Sequence, residues 1–131
     1  MKDSDVIVNR LDKERLLDHL AAAPVAPPAE RLRTILEQAA VVPPRRVPHD
    51  VVTMNTRLVI RDPRNGERET YVLTYPGIAV PAGVSVLSPL GSALFAAREG
   101  EEVQFMGART ARRIIVEQIE YQPERAGDYD L

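Results

Sequence analysis

The amino-acid sequence predicts an α+β protein, in which two short helices precede an antiparallel sheet that curls around one further helix. Three observations carry this prediction. Two amphipathic stretches near the start are separated by a proline-rich segment, an Asn65-Gly66 pair joins two alternating apolar runs, and a capped helical stretch over 89–97 lies between apolar strands. A helix of that length is marginal in water by itself, so the strands must hold it.

Composition limits the class of protein. A chain of 131 residues suffices for one domain, or for a small domain with an appendage. Apolar residues make up 44% and aromatic residues 5%, so the core is expected to be mostly aliphatic. The absence of cysteine excludes disulfides and thiolate metal sites and fits a reducing compartment, which favours the cytoplasm.

Charge and hydropathy argue against two kinds of partner. The formal net charge is −2 and neither half of the chain is basic, so nucleic-acid binding, sequence-specific binding included, is not expected. No apolar run approaches the roughly 20 residues of a membrane span, and the acidic start lacks the pattern of a signal peptide. A protein partner is therefore favoured over a nucleic acid or a membrane.

The amino-terminal part, residues 1–47, is predicted to form a short antiparallel helical hairpin after an extended run at Val6–Val8. The first helix is expected from Asp12, with Asp12 as its cap, and the prolines that follow residue 23 end it. The second helix is expected over 29–40. Each helix has one apolar face to bury, formed by Leu16, Leu17, Leu20, Leu32, Ile35 and Leu36.

Three prolines make residues 41–48 a semi-rigid linker to a second part, residues 48–131, which is rich in strands. Ser88 is the predicted N-cap of the helix in this part, Pro89 is its first residue, and Leu90, Leu94 and Ala97 form its buried face. The predicted elements are strands over 52–61, 67–75, 84–86, 101–106 and 109–121, the helix over 89–97, and a polar, loosely ordered tail over 122–131.

Side chains that could support catalysis or bind a cofactor do not form a recognisable pattern. His19 and His49 have no second ligand at metal-like spacing, and the sequence has no glycine-rich phosphate loop. Ser88 could suggest a nucleophile and His49-Asp50 a catalytic dyad, but a helix cap and a surface pair are the simpler interpretations. The residues therefore predict a binding protein without a catalytic residue, metal or cofactor.

Three separated segments resemble one bacterial family. Residues 48–57 resemble the opening of the carboxy-terminal domain in the nucleoside diphosphate kinase regulator branch of the Gre-factor superfamily. Residues 85–94, Ser-Val-Leu-Ser-Pro-Leu-Gly-Ser-Ala-Leu, are similar to a stretch shared across that superfamily, and residues 120–129 are similar to the ending of the same branch. The resemblance covers most of residues 48–131 and, more loosely, the helical hairpin.

The resemblance implies an FKBP-like carboxy-terminal domain, an amino-terminal antiparallel coiled coil, and docking at the rim of the secondary channel of bacterial RNA polymerase. It also implies which residues bind that partner: Leu87, Ser88, Pro89 and Leu90 at the helix start, and His49, Asp50, Met54 and Asn55 in the opening segment. In the cleavage factors of the superfamily, acidic residues at the coiled-coil tip help to hold a catalytic magnesium ion.

Two departures from the cleavage factors predict a regulator that does not stimulate transcript cleavage. The predicted tip, residues 21–28, carries no acidic residue. The predicted helices, of about nine and twelve residues, would be only about 14 and 18 Å long. In addition, Leu87 stands where cleavage factors usually carry an acid before the Ser-Pro pair. The predicted function is a non-enzymatic polymerase-binding transcription regulator.

Two other functions are weighed against this one. The first is a modulator of nucleoside diphosphate kinase activity or expression, which rests on the family resemblance because the sequence shows no nucleotide site. The second is a prolyl isomerase, which an FKBP-like fold would suggest. A proline-binding pocket needs aromatic walls, and two Phe, four Tyr and no Trp make that activity improbable. The sequence does not predict the oligomeric state or how the hairpin lies against the second part.

Overall fold

The structure, a computed structural model, describes residues 6–131. Its helices are α1 (Arg10–Ala22), α2 (Pro27–Gln38), α3 (Pro89–Leu94) and α4 (Pro123–Ala126), with one 3₁₀ turn at Pro44–Arg46. Its strands are β1 (Ile7–Asn9), β2 (Ala40–Val42), β3 (Arg57–Arg61), β4 (Arg68–Thr74), β5 (Gly83–Ser85), β6 (Glu102–Met106) and β7 (Ala111–Tyr121). The predicted α+β class is confirmed.

The main sheet has five strands in the order β5-β4-β3-β7-β6. The prediction of a purely antiparallel sheet is wrong in one pairing, because β5 runs parallel to β4, with Val72 opposite Gly83. Residues 75–82 carry the chain back along β4 before β5 begins, and parallel neighbours require such a return connection. The sheet is therefore mixed.

A second, two-stranded sheet ties the ends of the helical segment together. β1 pairs in parallel with β2, so that Ile7 lies opposite Ala40 and Asn9 opposite Val42. The extended run predicted at the start of the chain thus becomes a strand. Its partner lies in the segment predicted to be a linker, and the 3₁₀ turn at Pro44–Arg46 follows it.

The first helix begins earlier than predicted, and with a different cap. Asn9 is the N-cap, since its Oδ1 accepts from the backbone N–H of Leu11 at 2.8 Å. Asp12 is instead a buried residue in the first turn, 1% exposed. Leu17, predicted to be on the buried face, is exposed. α2 also begins earlier, at Pro27, because proline suits the first helical position.

The helices and the sheet share one aliphatic core. Leu16 of α1 and Leu32 of α2 are fully buried in the same cluster as Leu58 and Leu73 of the sheet and Leu94 of α3. Strand β3 is shorter than predicted and begins at Arg57, although Val52 and Met54 ahead of it are also buried in this cluster. Both helices therefore lie against the sheet, so the amino-terminal part of the chain packs against the second part.

The start of the tail predicted to be loosely ordered is buried, at residues 122–124, whereas residues 125–131 are exposed. Gln122 is 1% exposed, and its Nε2 donates to the carbonyls of Pro48 and Val51 at 2.8 and 2.7 Å. Helix α4 follows, and Gly127 ends it with a φ of 83°, in the left-handed region that glycine adopts without strain. The guanidinium of Arg15 then donates to the backbone carbonyls of Asp130 and Leu131. These contacts explain why a polar tail is ordered.

Candidate functional site

The loop that leads into α3 is held by hydrogen bonds among its own residues. Ser88 Oγ accepts from the N–H of Gly91 at 3.0 Å, which confirms the predicted N-cap, and donates to the carbonyl of Ser85 at 2.7 Å. The N–H of Leu87 donates to Ser85 Oγ at 3.1 Å. Because the Ser88 hydroxyl is engaged on both sides and meets no base, it is a structural cap rather than a nucleophile.

Gly91 lets α3 start directly against this loop. A Cβ atom at Gly91 would lie 1.9 Å from the carbonyl oxygen of Ser85 and 3.0 Å from the Cα of Val86. Both obstacles are backbone atoms, which cannot move aside as a flexible side chain can. The spacing of Ser85, Ser88 and Gly91 in the sequence therefore has a packing reason.

Gly91→Ala is expected to destabilise the protein by about 2–3 kcal/mol, because the loop and the helix must separate to admit the methyl group. The measurement is the midpoint of urea unfolding followed by circular dichroism. Gly77→Ala is the matched control: it meets no atom within 4 Å and carries only the strain of a φ of 84°. Its expected loss is about 1 kcal/mol. Equal losses for the two variants would contradict the packing argument.

The side chains of the helix-start loop differ in what they offer to a partner. Pro89 is exposed, whereas Leu87 and Leu90 are half-buried and pack against the core. Beside Pro89 lies a cavity of about 430 Å³, and Pro27, Pro28, Arg31, Phe105 and Met106 are among its other lining residues. Met106 is 64% exposed. We call Pro89 and these lining residues the α3-start surface.

The other predicted partner-binding residues lie in the segment that pairs with the chain after α3. His49 is exposed, and Asp50 Oδ1 accepts from Arg98 Nη1 at 2.6 Å. Asn55 has a φ of 67°, and its N–H donates to the carbonyl of Leu73 at 2.7 Å. Met54 is 1% exposed, so its side chain belongs to the core. In residues 6–131, no hydrogen bond or ion pair joins this group to the helix-start loop.

A buried polar cluster, which the sequence analysis missed, joins three distant segments. Glu124 accepts from Asn9 Nδ2 at 2.6 Å and from Thr53 Oγ1 at 2.7 Å. Asp12 accepts from the N–H of Met54 at 3.1 Å and from the Tyr75 hydroxyl at 3.2 Å. We call Asn9, Asp12, Thr53, Thr56, Tyr75 and Glu124 the polar junction. It fixes α1 against the sheet and against α4.

The electrostatics of the polar junction centre on Asp12. Burial raises the pKa of Asp12 from 3.8 to about 7, against the opposing hydrogen bond from the Met54 N–H and with a further rise from the nearby charge of Glu124. Burial and the neighbouring Asp12 raise the pKa of Tyr75 as well. When Asp12 is protonated, its carboxyl O–H can donate a hydrogen bond to the Tyr75 hydroxyl. The Asn9-to-Glu124 bond spans 115 residues, and no local pattern signals such a contact.

The described residues offer little for catalysis or metal binding. No three histidine or carboxylate side chains in residues 6–131 converge in a way that could hold a metal ion. None of the helices in that range has the length and apolar character needed to cross a bilayer. What the site offers is a rigid loop with an exposed proline beside a mostly apolar cavity, which suits recognition of another protein.

The sequence of this chain matches known proteins over the domain that contains the helix-start loop. Residues 47–121 match the family described as "Transcription elongation factor, GreA/GreB, C-term", and the chain belongs to that family. Over its full length it is 38% identical to the "Regulator of nucleoside diphosphate kinase" of Escherichia coli (strain K12), all of which the match covers. It is also 33% identical to transcription elongation factor GreA of Dehalococcoides mccartyi, over 53% of this chain and 46% of that protein.

Solved structures agree with the sequence matches. The "Prokaryotic transcription elongation factor GreA/GreB from Nitrosomonas europaea" superposes with a TM-score of 0.76 at 29% identity, covering 88% of this chain and 98% of that one. Gfh1 of Thermus aquaticus superposes with a TM-score of 0.51 at 18% identity, over 88% of this chain and 98% of that one, and shows the fold alone. The predicted family resemblance is confirmed. The relatives named here are regulators or transcription factors.

Proposed function

We propose that this protein is a non-enzymatic regulator that binds bacterial RNA polymerase at the rim of its secondary channel. The observation that carries the proposal is the α3-start surface, of which Pro89, Phe105 and Met106 lie within the residues that match the GreA/GreB family. The hydrogen bonds of the Ser88 hydroxyl to the backbone of Ser85 and Gly91 hold Pro89 in place before any partner binds. Such preorganisation lowers the entropic cost of binding.

The proposal includes the absence of transcript-cleavage stimulation. Residues 23–26, which connect α1 and α2, read Ala-Pro-Val-Ala and carry no carboxylate that could help to hold a divalent cation. In the proposed hairpin, α1 has 13 residues and α2 has 12, so the helices are about 20 and 18 Å long. Leu16, Leu20, Leu32 and Leu36 are all buried in the core shared with the sheet. The apolar faces of both helices are thus packed in this core. The carboxy-terminal domain beside them is proposed to be FKBP-like.

Met106→Glu is expected to weaken binding to core RNA polymerase by tenfold or more. It places a charge in the proposed interface, and a tenfold loss corresponds to about 1.4 kcal/mol. The measurement is fluorescence anisotropy of labelled protein titrated with core polymerase, followed by displacement with a Gre factor. Ile78→Glu is the matched control, since Ile78 is 55% exposed and lies outside the cavity.

Two results would contradict the docking proposal. One is the absence of saturable binding by the unmodified protein under conditions in which the Gre factor binds. The other is equal weakening by Met106→Glu and Ile78→Glu, which would place the interface away from the α3-start surface. Pro89→Ala is expected to weaken binding less than Met106→Glu, because it removes part of one contact without adding a charge.

A second candidate function is a direct effect on nucleoside diphosphate kinase. Its support is the name of the Escherichia coli relative, which is 38% identical over the full chain. The test is co-elution of the two purified proteins on size exclusion, together with kinase activity measured with and without this protein. A direct effect requires co-elution and a dose-dependent change in activity. Unchanged activity with separate elution would leave only an effect on the expression of the kinase.

A further inference from the structure

A second groove lies along the outer edge of strand β6. It has a volume of about 730 Å³. Its lining includes Val6, the α2 residues Arg31 and Ile35, and Glu102 and Gln104 of β6. The chain that follows α3, from Phe95 to Arg98, also lines it. The groove is therefore lined by residues of both the edge strand β6 and helix α2.

The hydrogen bonds of β6 show that alternate backbone groups face this groove. Strand β6 is last in the sheet order and pairs only with β7 among the described residues. On the β7 side, the carbonyl of Glu101 accepts from Val116 and the N–H of Gly107 donates to Thr110, so the odd-numbered residues face β7. In an antiparallel pair the intervening residues point their N–H and C=O groups the other way. Glu102, Gln104 and Met106 thus direct these groups outward.

The outward backbone groups are unpaired within residues 6–131. No hydrogen bond in that range engages the outward N–H or C=O groups of Glu102, Gln104 or Met106, and all three residues are exposed. Protected edge strands commonly carry lysine, proline or a covering segment. The sequence of β6, Glu-Val-Gln-Phe-Met, has neither lysine nor proline. This edge is therefore chemically ready to pair with another strand.

The charges in the groove indicate what kind of strand fits. Arg98 is paired with Asp50, and Glu102 lies 3.7 Å from Arg113. Glu101 also lines the groove, and its Oε1 accepts from the backbone N–H of Arg98 at 2.9 Å. Arg31 is exposed, lines both this groove and the cavity beside Pro89, and makes no ion pair within residues 6–131. The complementary group is a carboxylate, and the remaining lining near Arg31, including Ile35, is largely apolar.

We propose that this groove binds an extended segment of a partner protein, which adds to β6 as a further strand and places an acidic side chain against Arg31. The backbone of Glu102, Gln104 and Met106 supplies affinity without regard to sequence. Arg31 and the apolar wall of α2 supply selectivity. A five-residue strand such as β6 offers about 17 Å of edge. This inference goes beyond the polymerase proposal, because it requires no polymerase.

The test uses the full chain, labelled with ¹⁵N, and a synthetic probe, acetyl-Val-Thr-Val-Asp-Val-Thr-Val-amide. Saturable shifts are expected at the amides of Glu102, Gln104 and Met106 and at Arg31. The same peptide with lysine in place of aspartate is expected to bind at least tenfold more weakly. Arg31→Glu is expected to reverse that preference, so that the lysine peptide binds better than the aspartate peptide. Circular dichroism checks that the variant folds.

Backbone methylation of the probe separates strand addition from simple contact. Methylating the amide nitrogens that face β6 is expected to abolish the shifts, whereas methylating the alternate ones leaves them, because only one edge of an added strand pairs with β6. Failure of the aspartate peptide to bind at about 1 mM, a binding free energy near −4 kcal/mol, overturns the proposal. So does an unchanged charge preference in Arg31→Glu.

Other occupants of the groove give distinct outcomes in the same experiment. Concentration-dependent shifts of the β6 amides without peptide would identify a second copy of the chain. Nuclear Overhauser contacts from residues 1–5 to Gln104 would identify the chain's own amino terminus. Either result overturns the proposal of a partner segment. None of these outcomes depends on polymerase binding, so failure here and failure of the docking proposal are told apart.

Discussion

Asp12→Asn is expected to stabilise the protein at pH 8 while leaving its stability near pH 4 almost unchanged. Asp12 is 1% exposed, so an ionised carboxylate there is poorly solvated. An asparagine keeps an oxygen that can accept from the Met54 N–H, and its amide can donate to the Tyr75 hydroxyl. The substitution therefore removes the cost of a buried charge and keeps the hydrogen bonds of the native side chain.

The sign of the pH dependence follows from the raised pKa of Asp12. Between pH 3.8 and about 7 the folded protein holds this proton and the unfolded chain does not, so stability falls as the pH rises through this window. A shift from 3.8 to about 7 corresponds to at most about 4 kcal/mol. This contribution is fully present below pH 3.8 and lost above about pH 7.

The measurement is the free energy of urea unfolding of both proteins at several pH values from 4 to 8. The difference between them isolates Asp12 from other titrating groups, such as Asp62, whose pKa is lowered to about 2 by its bonds from Arg64. Asp18→Asn is the matched control, because Asp18 lies on the same helix and is exposed. A pH-independent difference between Asp12→Asn and the unmodified protein would contradict the assignment.

Glu124→Ala is expected to destabilise the protein by about 3 kcal/mol, which is a large effect for a residue in a polar tail. The substitution leaves the buried Asn9 amide without its acceptor, and it leaves the Thr53 hydroxyl with Thr56 Oγ1 as its remaining acceptor. It also loosens the contact between α4 and the start of α1. Thermal and urea unfolding measure the loss.

Two further variants test this prediction: a conservative substitution at the same position and a surface control. Glu124→Gln is expected to cost less, because its oxygen can accept from Asn9 while its amide donates to Thr53, whose hydroxyl can turn toward Thr56. Glu120→Ala is the control, since Glu120 forms an exposed pair with Arg57 at 3.4 Å and its loss is expected to cost less than about 1 kcal/mol. If Glu124→Ala lowers the free energy of unfolding no more than Glu120→Ala does, the polar junction contributes nothing to stability.

Local patterns were reliable where one residue or one short segment carries the signal. Ser88 and Pro89 predicted the start of α3, and alternation predicted the two strands on either side of Asn65-Gly66. These features depend on hydrogen bonds and side-chain spacing within a few residues of the chain. The family resemblance was also readable, because its motifs are contiguous segments.

Predictions failed where a distant segment changed the role of a residue. Asp12 looks like a helix cap, but Asn9 caps the helix because the N–H of Met54 and the hydroxyl of Tyr75 draw Asp12 into the interior. The tail looks disordered by composition, but Gln122 and Glu124 satisfy buried groups more than 70 residues away. Period-two alternation likewise does not distinguish the parallel pairing of β5 from an antiparallel one.

The sequence by itself determined the class of fold, the family and the helix start on which the proposed docking depends. Pro89 and its cap are local chemistry, because the hydrogen bonds of the cap join only residues 85–91. Only the tertiary structure decided which surfaces surround that start. The cavity beside Pro89 joins residues from α2, α3 and β6, and the polar junction joins Asn9 to Glu124. Contacts between segments this far apart leave no periodic or compositional signal, because burial and pairing are set by packing of the whole chain.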